Sequence, residues 1–302
     1  MRIKKPPRMR QGRGLAEMTI ESHSKDQARA VAMRFFPRRE RETSLTREAL
    51  PKALVSAMSI LVLLTAWAVI STSGTLPAGY LPTPLELGVD FKRLVTEGYK
   101  SVPLVDHIKI SLFRALFGFT LGALVGIPLG LLTGFTRLGD AIVSPVMAFL
   151  RPIPPIAFIP MIVLYFGLGE TGRVVLIFWT ALNYVQVNAH AGAANIPLTY
   201  MRAAKSLGLT KRQQFFRVVF PAAIPQIFTG LRVAMALSWA VVVAAELVGA
   251  QEGLGYMISD ASFTFRIPTV FIGIAIIGAI GLLLNIAIGY IETRIVHWKG
   301  RQ

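Results

Sequence analysis

The chain has 302 residues, of which 53% are hydrophobic and only 16% charged, and its mean hydropathy is +0.56. That apolar content excludes an ordinary soluble domain and points to a membrane protein. The formal net charge of +16 sits mostly at the ends and in loops, where it reads as a topology signal rather than a nucleic-acid surface, and the absence of cysteine excludes a disulfide framework, a Cys-based metal site and a thiol nucleophile.

Residues 1–50 are rich in Arg and Lys but also carry Glu and Asp. They read as a cytoplasmic tail, disordered in part, either simply solvated or with a short amphipathic helix near residues 25–36 lying on the bilayer. No apolar stretch near the start precedes a small-residue cleavage site, so no cleavable signal peptide is expected.

Six spans are expected over residues 51–302, which makes the fold class all-α, an integral membrane bundle. About 20 apolar residues at about 1.5 Å rise each cross a hydrocarbon core. The first span is residues 53–70, followed by an extended stretch rich in Pro and Gly, SGTLPAGYLPTPLELG, at 73–88. The second is 112–135, where Gly118, Gly122, Gly126, Gly130 and Gly134 recur every four residues along one helix face. Such a row lets helix backbones approach closely. Pro128 is expected to kink this helix.

The third span, 141–166, is interrupted by RPIPP at 151–155. Pro152, Pro154 and Pro155 cannot all sit in a regular helix, so a break or bend is expected there. Backbone freed at membrane depth is tolerated only when packed in protein or lining a wet cavity. The break is therefore a pathway candidate, and a plain helix–loop–helix near one membrane surface is equally compatible. The remaining spans are 174–191, 224–249 and 270–291. With the N-terminus inside, 23 Lys and Arg fall in cytoplasmic segments and 6 in outer ones. That bias places both termini in the cytoplasm and the loop 192–223 on the same side.

This loop contains MRAAKSLGLTKRQQFFRVVFPAAIP at 201–225. Residues 201–216 suit a helix that Gly208 interrupts, with Thr210 as N-cap of a second helix from Lys211. Pro221 is expected to end the element before the next span. A lipid-anchoring amphipathic helix and a protein-docking element fit the residues equally well. The spacing Ala203-Ala204, three residues, Gly208, nine residues, Val218-x-Phe220-Pro221 resembles the EAA signature of bacterial ABC-importer permeases, whose pattern is Glu-Ala-Ala, three residues, Gly, nine residues, Ile-x-Leu-Pro. Every interval matches. Arg202 stands where that family usually has Glu, and Val218 and Phe220 are conservative departures. The resemblance extends over about residues 50–300. LPTP at 81–84, LRPIPPIAFIP at 150–160, FGLGE at 166–170 and VVAAELVGAQEGLGYMI at 242–258 resemble the nitrate/sulfonate/taurine branch.

The resemblance implies a type I permease subunit that translocates a small anion by alternating access. Taurine or another alkanesulfonate comes first and nitrate or bicarbonate next; an organic precursor such as a pyrimidine is the alternative. It implies a homodimer, two ATP-binding subunits in the cytoplasm and a substrate-binding protein outside. Loop 192–223 would dock as the coupling helix, with Arg202, Ala203, Ala204, Gly208, Val218, Phe220 and Pro221 at the contact. ATP and magnesium would belong to the partner subunit. This chain has no phosphate-cradling GxxxxGK[ST] loop, HExxH or GxSxG, and is expected to bind no cofactor, metal or nucleic acid and to catalyse no reaction.

Polar residues inside spans are functional candidates because their burial is costly. Arg151, Asn183, Gln186, Arg232, Trp239 and Glu246 are the candidates for the pathway. Glu246 reads equally as a gate, an ion-pair partner or a packing group, and Asn183, Gln186 and Asn188 equally as interhelical hydrogen-bond glue. The rival classes are an intramembrane enzyme, which would need a polar catalytic pair in the spans, and a membrane scaffold that transports nothing.

Overall fold

A computed structural model describes residues 52–296 apart from 76 and 78. The tail at 1–50, with its amphipathic-helix reading at 25–36, lies outside the described residues. The chain divides into two units, residues 1–66 and 67–302. Helix α1 (Lys52–Thr72) crosses the division and is taken by itself: an apolar helix of 21 residues with no polar face.

The rest of the described chain is helices and turns, with one isolated bridge between Tyr99 and Val102. In order they are α2 (Pro84–Thr96), α3 (Leu104–Phe135), α4 (Arg137–Leu150), a 3-10 turn (Pro155–Phe158) and α5 (Ile159–Phe166). Then come α6 (Glu170–Ala194), α7 (Leu198–Ser206), α8 (Lys211–Gln214), a π-helical turn (Phe215–Val219), α9 (Phe220–Leu247), α10 (Leu254–Phe263) and α11 (Ile267–Ile295). Among the described residues four helical stretches are long and apolar enough to cross a membrane, or five if the bent pair α4 and Pro155–Phe166 counts as one span. The expected six therefore becomes four to five by that measure. Helix α6 is 25 residues long but carries Asn183, Gln186, Asn188 and His190, which lower its hydropathy.

The row of glycines on α3 sets the centre of the bundle. A Cβ added at Gly122 would fall 2.6 Å from the Ala181 Cβ and from the Phe178 carbonyl of α6. Gly118, Gly126 and Gly134 face Ile177, Val185 and Ala193 in turn. The contacts rise by four residues on both helices, so α3 and α6 run in the same direction with their backbones nearly touching. On another side of α6, Gly192 meets Ala223 and Gly230 meets Asn188, so α9 runs antiparallel to it. One apolar core gathers Leu94, Tyr99, Leu176, Ile177, Trp239, Val242, Leu254 and Met257. A second, toward the other end, gathers Leu131, Ala189, Val219, Ala223 and Ile227.

The break at RPIPP is present, as an 85° bend between α4 and the following segment. Pro128 sits inside α3, which continues through it to Phe135. Two expectations are corrected. The stretch 73–88 is not extended to its end, because α2 starts at Pro84. Thr83 caps it: its hydroxyl accepts from Glu86 N at 3.2 Å, and Glu86 Oε2 accepts from Thr83 N at 2.8 Å. Proline at the first helical position loses no hydrogen bond, so Pro84 favours this start. Pro221 also does not end its element. The helix runs from Lys211 to Leu247 through the π-helical turn, and Pro221 falls in the first turn of α9. Proline there costs little, and the widened turn just before it absorbs the change in pitch.

Candidate functional site

The loop between α6 and α9 is a rigid turn between helices. Helix α7 ends in two reverse hydrogen bonds, Gly208 N to Lys205 O at 2.9 Å and Leu209 N to Ala204 O at 3.1 Å. This is a Schellman end, whose penultimate position must take a left-handed backbone. Gly208 supplies it with φ +71°, and no atom lies within 4 Å of where its Cβ would be. The glycine is demanded by backbone conformation, not by crowding among the described residues. Thr210 then caps α8: its hydroxyl accepts from Gln213 N at 3.3 Å, and Gln213 Oε1 accepts from Thr210 N at 2.9 Å. The Gln214 amide donates to Leu209 O at 2.7 Å and closes the corner.

The loop has an inner and an outer face. Ala204, Gln214 and Val219 are buried against the bundle. Arg202, Ala203, Lys205, Leu207 and Gly208 are exposed, Val218 and Pro221 half-buried, and Phe220 exposed. Arg202, Lys205, Lys211, Arg212 and Arg217 make this surface basic, and no Asp or Glu occurs anywhere between Glu170 and Glu246.

The pathway candidates are scattered rather than gathered. Arg151 caps α4 at the bend and is exposed. Arg232 on α9 pairs with Glu292 on α11 at 2.8 Å. Trp239 donates its indole N–H to the Ile277 carbonyl at 3.0 Å, pinning α9 to α11. On α6, the Gln186 amide donates to Thr133 of α3 at 3.3 Å, and Asn188 accepts from Gln226 of α9 at 3.1 Å. Asn183 donates to the Trp179 carbonyl of its own helix at 2.9 Å. The side-chain oxygens of Asn183 and Gln186 are buried with no donor among the described residues.

Glu246 is in an ion pair. It is 1% exposed and meets Arg114, 3% exposed, through Nη1 at 2.7 Å. Ser111 Oγ lies 2.8 Å from both its oxygens, and Gly255 N donates to Oε2 at 2.9 Å. Arg114 also holds Glu170 with two parallel bonds, Nη2 to Oε1 at 2.6 Å and Nε to Oε2 at 2.7 Å, and gives Nη1 to the Glu252 carbonyl at 2.9 Å. Arg173 joins Glu170 at 2.9 Å and the Gly249 carbonyl at 3.0 Å. One guanidinium thus ties α3 to the start of α6, the end of α9 and the loop into α10. Bidentate arginine–carboxylate contact suits a fixed orientation. In the sequence Glu246 stands out but Arg114 does not, and nothing there signals that the two meet across 132 residues. Ser111 and Arg173 belong to the same network and carry no motif of their own, while Glu170 ends the FGLGE stretch without any sign there of its partner.

The model of a family described as binding-protein-dependent transport system inner membrane component matches residues 126–297. The chain is 33% identical over 250 residues to the taurine transport system permease protein TauC of Escherichia coli (strain K12), covering 82% of this chain and 90% of that one. It is 34% identical over 238 residues to the putative aliphatic sulfonates transport permease protein SsuC of Bacillus subtilis (strain 168), covering 79% and 85%. It is 34% identical over 251 residues to the nitrate import permease protein NrtB of Synechocystis sp., covering 82% and 90%. Among solved structures, a chain of the inward-facing MetNI methionine ABC transporter superposes with a TM-score of 0.57 at 20% identity, over 64% of this chain and 96% of that one, which shows a shared fold.

Proposed function

Since this chain belongs to the family of binding-protein-dependent transport system inner membrane components, the permeases of ABC importers, we propose that it carries a small sulfonate inward by alternating access. Taurine or a related alkanesulfonate is the first substrate, nitrate or bicarbonate the next. Relatives named for taurine, aliphatic sulfonates, nitrate and bicarbonate support that class of small anion. Both termini lie in the cytoplasm, two copies enclose the pathway, two ATP-binding subunits sit inside and a binding protein delivers substrate outside.

The observation that carries this reading is the loop at 198–220. It is preorganised by a Schellman turn and a capping box, and it presents Ala203, Gly208 and Leu207 outward rather than to its own bundle. A rigid exposed element fused through a continuous helix to α9 can pass a push from a docked ATPase to the membrane helices. Arg202 presents a positive charge at the site where the family's Glu would present a negative one, so the docking groove on the ATPase carries carboxylates there.

Inside the bundle, Arg114, Arg173 and Arg232 are all neutralised by carboxylates. The passing anion meets no unpaired buried arginine among these three, which favours weak holding and release over tight binding. The exposed Arg151 at the bend is the group offered to substrate; the Asn183 side-chain oxygen, buried and without a donor among the described residues, would meet one such as the ammonium of taurine only as the bundle opens.

The experiment is ATP hydrolysis and uptake of radiolabelled taurine in proteoliposomes holding this chain, its co-purified ATP-binding subunit and its binding protein. Taurine-stimulated hydrolysis with uptake is expected. Stimulation by nitrate or bicarbonate alone would reassign the substrate, and failure of any ATP-binding subunit to co-purify would remove the transport reading.

A further inference from the structure

We propose that the corner between α10 and α11 is a lipid anchor, in which Phe263 and Phe265 enter the headgroup–acyl boundary of the bilayer. The inference rests on membrane insertion and not on what is transported.

Phe265 and Phe263 are the two most exposed large apolar side chains among the described residues, at 86% and 82%. The backbone is built to hold them out. Helix α10 ends, like α7, in a Schellman pair: Phe265 N to Ser262 O at 3.2 Å and Arg266 N to Ala261 O at 2.8 Å. The left-handed position that Gly208 fills in α7 is here filled by Phe265, with φ +55°. Glycine is the usual residue at that position because a Cβ strains it. A bulky residue there is a true outlier, and an outlier is a reason to look for function. No packing among the described residues offsets that strain, since the ring is nearly bare.

The depth of the corner follows from what comes next. Helix α11 starts at Ile267, two residues after Phe265, and it is the most apolar of the candidate spans. Its exposed Ile274, Leu282 and Ile286 are a lipid-facing surface. Phe265 therefore sits where that span meets water. Aromatic side chains are enriched at this level because an apolar ring on a hydrated backbone suits the boundary. Arg266 carries its guanidinium over the Tyr99 ring, 5.8 Å from its centre, rather than beside the phenylalanine rings.

The anchor continues onto α2. Asp90 of α2 accepts from Thr269 in the first turn of α11 at 2.6 Å, which holds α2 at the same level. The side of α2 turned away from its buried Leu94 exposes Leu85 and Val89. The apolar surface is thus continuous with the lipid-facing side of a span; the exposed Lys92 shares the outer side of α2, where its long stem suits the headgroup level, and the edge also carries the uncharged Ser262 and Thr264. That favours a lipid boundary over a soluble protein partner.

The test uses the chain's lack of cysteine, so that one introduced thiol is the only site for a nitroxide label. Phe265→Cys, Phe263→Cys and Val89→Cys are labelled in the full chain, in nanodiscs of phosphatidylethanolamine and phosphatidylglycerol. Phe263 lies in ordinary helix, so its variant leaves the strained turn intact. Power-saturation EPR then compares collisions with oxygen, which enters lipid, and with a water-soluble nickel chelate. All three labels are expected to favour oxygen severalfold, at a depth just below the headgroups. Labels that favour the nickel chelate place the corner in water and overturn the proposal. Labels shielded from both reagents once the partner subunits or binding protein are added show a protein covering the corner, and overturn it equally.

Discussion

Arg114 Nη1 and Glu246 Oε1 lie 2.7 Å apart, with both side chains buried, and this one contact joins helices across 132 residues of sequence. Removing one partner of a buried pair strands the other charge and costs about 3–5 kcal/mol, whereas replacing both with apolar groups of similar volume is far milder. Arg114→Met strands the buried Glu246 carboxylate and is expected to lower thermal stability sharply in nanodiscs, whereas Glu246→Leu costs less because Arg114 keeps Glu170; the double variant is expected to be more stable than Arg114→Met alone. Glu246→Gln keeps the shape and falls between. If the double variant is as unstable as the sum of the singles, the pair is not the coupling unit described here.

The Gly122–Ala181 approach makes a steric prediction. Gly122→Val pushes a branched side chain into α6 and is expected to cost about 1–3 kcal/mol through overpacking and helix separation. Combining it with Ala181→Gly is expected to recover part of that loss, because the Phe178 carbonyl remains 2.6 Å away. Gly278, with nothing within 4 Å of its Cβ position, is the control. Gly278→Ala is expected to be neutral or to stabilise by up to about 1 kcal/mol through helix propensity. Urea or thermal unfolding of the purified chain distinguishes the two positions.

At the loop, Gly208→Ala strains a φ of +71° but collides with nothing, so it is expected to cost the fold about 1 kcal/mol. Gly208→Asp adds bulk and charge to the exposed face. It is expected to leave the chain folded by circular dichroism and to abolish co-purification of the ATP-binding subunit and substrate-stimulated hydrolysis. Arg202→Glu is expected to weaken that association, and a lysine introduced in the ATPase groove to restore it. Retained uptake by Gly208→Asp would sink the docking role proposed for this loop.

Outside the spans, Lys100 and Tyr99 both reach Asp260, at 2.7 and 2.6 Å. The Lys100 ammonium foremost, then the Tyr99 hydroxyl, hold the Asp260 carboxyl below its ordinary range. The lysine is in turn pushed up by its bond to Asp260, and the tyrosine by burial and then by the same carboxylate. A lowered carboxyl pKa stabilises the fold above the unfolded value and loses that contribution as pH falls through the folded one. Wild type is therefore expected to melt above Asp260→Asn at neutral pH, with the gap closing as pH drops below the ordinary carboxylate range. A gap that stays constant down to acid pH would show that the carboxylate charge is not involved.

Much was legible along the chain because it depends on near neighbours. Apolar runs of about 20 residues must be spans whatever surrounds them. RPIPP breaks a helix by its own chemistry, and the 85° bend follows. Thr210 and Gly208 declare a cap and a turn, and both are found. The glycine row predicted a tight helix contact without naming the helix. The missed elements were short: α2, hidden behind a proline-rich start that a capping box turns into a helix, and α10, whose fit depends on Leu254 and Met257 being covered by other helices.

The span lengths, the glycine row and the loop punctuation were thus determined by local sterics and hydropathy, which act within a few residues. The tertiary structure decided which surfaces those residues meet. Arg114 and Glu246 are two isolated charges until the α3 and α9 backbones bring them within hydrogen-bond reach. Glu246 then becomes a cross-brace, because a buried carboxylate is stable only where a cation and donors from elsewhere in the chain converge on it. In the same way Phe265 is one more apolar residue in the sequence. Only the left-handed turn and the start of α11 place its bare ring at a boundary.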